Sequence, residues 1–167
     1  MALTQQLARV SPQYLDRCRE AAARSPDGDP RWDPPTADTL DLDWAIWELC
    51  GLYRHMRPGA PQLPVLLRAV QGDDDGALPF LDHDTVYDGF DGPPALLPPE
   101  AVGEVARALA AMDIGAVLET LPAYREAGGF ARFTGDVRTY LVRHFTLLRD
   151  FYRVAHERGW SVVVWVD

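Results

Sequence analysis

The chain contains no lysine and no asparagine among its 167 residues, and all sixteen of its basic side chains are arginine. Without lysine there is no Schiff-base chemistry and no lysine nucleophile. The bias itself is that of a GC-rich coding sequence. Cysteine is almost as scarce: Cys18 and Cys50 stand far apart and outside any CxxC spacing, which removes zinc knuckles and thioredoxin-like redox motifs. Positive charge is in deficit, with 25 acids against 16 bases and a formal charge of -9. A broad nucleic-acid footprint needs clustered cations that release counterions, so nucleic acid is not an expected partner. No run approaches eighteen apolar residues, and the opening MALTQQLARV lacks a charged segment followed by an apolar one. No membrane association is expected, and the expected location is the cytoplasm. GxSxG, Walker A, GxGxxG and HExxH are all missing, which disfavours standard hydrolases, P-loop NTPases and Rossmann dehydrogenases.

What is present describes a globular chain: 47% hydrophobic residues, five tryptophans and 25% charged residues. A chain this long buries about 70% of its unfolded surface, so one core forms without disulfides or metals. Leu3 to Val10 alternates as a strand, and Ser11-Pro12 caps a helix expected to reach Ala23. The proline- and aspartate-rich SPDGDPRWDPPTAD is a loop, with Trp32 as its anchor. LDLDWAIWELCGLY (Leu40 to Tyr53) is apolar around most of its circumference and predicts a buried helix, capped by Asp41 or Asp43. Val65 to Val70 is a short helical turn. From Gln71 to Pro99 glycine, aspartate and proline crowd out regular structure, leaving short strands at Ala77 to Leu81 or Thr85 to Tyr87.

Pro98-Pro99-Glu100 opens another helix, and Asp113 can cap a further one through Leu118 and Leu121. Gly135 to Arg158 carries a long apolar stripe and ends at Gly159 as a C′ residue. SVVVWV at the end reads as a strand buried on both faces, paired with the N-terminal one. The expected fold is α+β: a single domain, residues 1–167, with a small mixed sheet including the N-terminal and C-terminal strands, packed by several helices.

Glu48 is the chemical oddity of the tryptophan-rich helix, since a buried acid is costly without a partner. His144 falls within the apolar stripe of the last helix. Facing each other, the two would be a general base with an orienting carboxylate, the catalytic candidates of a small hydrolase-like enzyme. The plain alternative is a core histidine bonded to a backbone carbonyl, a tyrosine or that same carboxylate, with no catalytic purpose. QGDDDGALPFLD (Gln71 to Asp82) imitates a calcium loop at Asp73, Asp75 and Gly76 but has Gln71 at its first position and Asp82 at its twelfth, so the frame fails. Asp82-His83-Asp84 offers a weak ligand set. No metal and no cofactor are expected. The first reading is therefore a non-enzymatic binding or regulatory module, monomer or homodimer, that recognises a protein or small molecule. Its candidate ligand-binding residues are Trp44, Trp47, Asp82, His83 and Asp84.

LDLDWAIWELCGL (Leu40 to Leu52), LPVLLRAVQG (Leu63 to Gly72), DGFDGPPALLPPEAV (Asp88 to Val102) and YLVRHFTLLRDFYRVAHERGWSVVVWVD at the end lie in the order of the YfbM-like family of bacterial proteins, which the chain resembles over nearly its whole length. The resemblance implies a single α+β domain and no activity, because the family is a domain of unknown function. It also implies two departures. Family members often have a histidine at the position of Glu48 and an arginine near Ala95.

Overall fold

Four strands and seven helices follow one another in the computed structural model, which describes residues 4–131 and 133–167. Strand β1 (Gln5–Val10) leads into α1 (Pro12–Arg24), whose first turn is closed by Ser11 accepting from the Tyr14 N–H, with Pro12 at the first helical position. After the loop come β2 (Thr39–Asp41), α2 (Ala45–Met56) and α3 (Gln62–Gln71). Then β3 (Phe90–Leu97) runs into α4 (Pro99–Ala111), and two short helices follow, α5 (Gly115–Leu118) and α6 (Leu121–Glu126). The chain closes with α7 (Val137–Glu157) and β4 (Ser161–Val166).

The strand order β2-β1-β4-β3 puts the first and last strands side by side at the centre of the sheet. Every pair in it is antiparallel, so the sheet is not mixed. The connection explains the direction. α7 ends at Gly159, whose φ of 63° suits glycine, and the Trp160 N–H bonds the Ala155 carbonyl at 2.9 Å in a Schellman arrangement. That tight stop delivers β4 where β1 finishes, with Ser161 opposite Val10 and Gln5 opposite Val166.

Alternation in β4 then sorts the rest of the molecule onto two faces. Val162 and Val164, with Leu7 and Leu97, meet the large core built by α2 to α7. Val163, with Ala8 and Val10, meets a smaller core of α1 and the segment carrying Leu78, Leu81, Val86 and Tyr87. A strand covered on both faces is what its unbroken apolar run requires.

Several boundaries differ from expectation. Leu40 and Asp41 belong to β2, and Trp44, not an aspartate, occupies the N-cap of α2, so the expected helix loses its first turn. Asp41 instead accepts the Asp43 N–H at 2.7 Å, holding Asp43 at a φ of 51°. The short turn at Val65 to Val70 is part of the ten-residue α3. Neither expected strand between Gln71 and Pro99 forms: Ala77 makes one bridge to Ala95, Pro79–Leu81 is a 3₁₀ turn, and the strand lies at β3. Pro93 and Pro94 sit in β3 where its register against β4 shifts, on an edge strand, the position at which proline is tolerated. Leu3, the expected start of β1, lies outside the described residues. Among those residues no helix is long and apolar enough to cross a membrane.

Candidate functional site

α2 lies on the large-core side, with Ile46, Leu49 and Leu52 fully buried, and its remaining face carries Trp44, Glu48, Gly51 and His55 at helical spacing. Side chains from 120–131 and 133–140 meet that face. At one end the Tyr124 hydroxyl sits over Gly51, so close that a Cβ there would lie 3.3 Å from it. At the other end the Tyr140 hydroxyl donates to Asp43 at 2.9 Å, and the left-handed turn at Asp43 aims the carboxylate there. Rings connect the two ends without a gap. Tyr124 meets Phe130 edge-on at 5.7 Å, Phe130 meets Phe133 at 6.1 Å, and Phe133 meets Tyr140 at 4.8 Å. All four are half-buried, so each keeps ring surface open to solvent.

Glu48 stands between the two tyrosines. Among the described residues it has no hydrogen-bond or ion-pair partner, and burial pushes its carboxyl pKa up. Its charge reaches both neighbours: Tyr124 is raised by burial and then by Glu48, while Tyr140 is raised by burial, by its bond to Asp43 and by Glu48 as well. Gly129 is packed so tightly under the Tyr124 ring that a Cβ there would collide with it.

The His144 ring lies tilted against that of Tyr140 at 4.5 Å, and its Nδ1 lies 2.8 Å from the Tyr140 carbonyl oxygen. No Glu48–His144 hydrogen bond forms; the two residues share Tyr140 as a neighbour. The orienting contact that acid/base work would need is therefore replaced by an ordinary core-histidine bond. Trp44 and Trp47 stack on each other at 5.5 Å, and the Trp47 indole N–H donates to the buried Gln5 side chain at 2.9 Å.

Asp82, His83 and Asp84 are not brought to this site. The neighbouring Leu81, Val86 and Tyr87 belong to the small core, across the sheet from Trp47, which packs on the large one. Asp82 accepts from the Tyr87 hydroxyl at 2.7 Å, and His83 bonds Thr85 at 2.9 Å. Of the failed calcium frame, Asp73 is taken by Arg68 at 2.5 and 3.1 Å. Among the described residues no three histidine, cysteine or acidic side chains converge as a metal site would require.

Glu48 and Trp44 were legible candidates. Tyr124, Phe130, Phe133, Tyr140 and Asp43 were not, because the sequence gives no sign that 120–140 folds across α2; the aromatic spacing of that segment was the one available signal. Comparison with known proteins gives no match: no family model fits the chain, and no curated protein or solved structure resembles it at a significant level.

Proposed function

We propose that the protein is a binding module whose α2 face takes an organic ammonium cation carried on an apolar body. The observation that carries this reading is Glu48, a carboxylate without a partner among the described residues, flanked by the two ends of a four-ring aromatic run. Ring faces attract cations by about 0.5–2 kcal/mol each, most when desolvated, and the carboxylate supplies the matching charge. A neutral ligand would leave that charge as uncompensated as it is now. A metal ion would find no cluster of three histidine, cysteine or acidic side chains among the described residues, and the Asp43 carboxylate is already taken by the Tyr140 hydroxyl. The YfbM-like resemblance rests on its four motifs and adds no activity to this reading.

The test is calorimetric titration with tetramethylammonium and with neopentyl alcohol, a neutral analogue that keeps the branched carbon shape. Arg132, which the sequence places between Phe130 and Phe133, is replaced by alanine in a parallel sample so that no cation of the chain itself competes. Binding of the cation alone, weakened about tenfold or more by Glu48→Gln and by Tyr140→Ala, is the expected result. Equal binding of both compounds, or cation binding indifferent to Glu48→Gln, overturns the proposal.

A further inference from the structure

Across the sheet, α1 and the loop that follows it form a cleft of about 650 Å³ with a charge opposite to that of the chain. Arg17 and Arg24, seven residues and two helical turns apart, line one wall, and Arg31 lines the other; Glu20 is the single acid among the lining residues. Glu20 holds Arg24 at 3.0 Å. Arg17 lies over the Tyr14 ring at 5.4 Å, and neither Arg17 nor Arg31 meets a carboxylate among the described residues. Asp16, next to Arg17, bonds Arg19 at 2.9 Å, and two of the loop acids are engaged within the loop. Asp27 accepts from the Ser25 hydroxyl and the Asp29 N–H, and Asp29 accepts the Arg31 N–H at 2.8 Å.

The loop is also rigidly mounted. Trp32 is wedged edge-on between Tyr14 at 5.6 Å and Trp165 at 6.0 Å, and the Asp33 N–H donates to the Tyr14 hydroxyl at 2.8 Å. Just before these anchors Arg31 is held at a φ of 52°, a left-handed conformation that costs a residue with a Cβ about 1–2 kcal/mol and that glycine would adopt freely. A strained arginine at the wall of this cleft is a place where structure spends stability on a side chain.

We propose that this cleft binds a small phosphorylated organic molecule. Arg17 and Arg31 grip the phosphate, as guanidinium forks do, and Tyr14 with Pro30 faces the organic body. The volume falls within the roughly 300–1,000 Å³ of small-molecule sites and exceeds the needs of a bare ion. Burial pushes the Cys18 thiol up, so the cleft floor stays neutral and does not repel an anion.

Titration with ribose 5-phosphate, ribose and inorganic phosphate tests it, at low and raised sodium chloride. The sugar phosphate is expected to bind most tightly, unphosphorylated ribose not to bind, and Arg17→Gln and Arg31→Gln each to weaken binding about tenfold or more. Arg31→Gly separates fold from site: it should raise the melting temperature while losing the ligand. Glu48→Gln, on the opposite face, should leave this affinity unchanged. No heat with the sugar phosphate at millimolar concentration, affinity unaltered by both arginine substitutions, or inorganic phosphate binding as tightly as the sugar phosphate overturns the proposal.

Discussion

Stability and binding pull apart at Glu48. Its carboxyl is raised in the folded state by burial, so the native protein holds that proton more tightly than the unfolded chain does. Where the native state binds more protons, stability falls as pH rises. The cost is therefore absent below the ordinary carboxylate range, grows as pH climbs through it, and is complete above the raised native value. Glu48→Gln removes the charge and keeps the shape. At neutral pH the variant should melt at a higher temperature than the parent, with the gap closing as pH is lowered to where Glu48 is protonated in both states; melting curves across pH measure it. A variant that is less stable at every pH would show that Glu48 is satisfied after all. Gained stability with lost cation binding is the signature of a residue kept for function.

Elements whose pattern is local were legible, and those defined by distant partners were not. α1 and α7 announced themselves by a cap and an amphipathic stripe, and β4 by its β-branched run. β3 did not, because Gly92, Pro93 and Pro94 carry turn chemistry that only an edge position beside β4 makes compatible with a strand. The candidate site was half legible for the same reason. Glu48 stands out on its own helix, while the rings around it come from a segment whose docking no local pattern encodes. Arg17 and Arg24 share a helix face, but Arg31 joins them only through the loop. Gly76 tests how β3 is held. A Cβ there would lie 2.5 Å from the Leu96 carbonyl oxygen and 2.9 Å from that of Asp73, and the Gly76 carbonyl accepts the Leu96 N–H at 2.7 Å. Backbone on both sides leaves no side chain to yield. Gly76→Ala should cost about 1–3 kcal/mol, as overpacking does, and lower the melting temperature by several degrees while leaving α7 helicity intact.

On the scale of the whole molecule, the sheet joins the two ends of the described chain at its centre. β4 has β1 on one side and β3 on the other, and its two faces belong to different cores. The pairing extends past the strands, with the Thr4 N–H on the Asp167 carbonyl at 2.6 Å and the reverse bond at 3.0 Å. Opening β4 therefore exposes Val162 and Val164 from the large core and Val163 from the small one in a single event, and no smaller unit can release it. Hydrogen exchange followed against denaturant should show this directly. Amides of β1 and β4 should exchange only through global unfolding, with a denaturant slope equal to that of the equilibrium transition. Amides in 25–33 and in 127–131 and 133–136, the irregular stretches beside the proposed sites, should open locally with shallow slopes, because they lie outside the helices and the sheet. A β4 slope well below the global one would mean that the two cores come apart separately. Equal slopes would mean that both sites, though on opposite faces, are carried by one cooperative sheet.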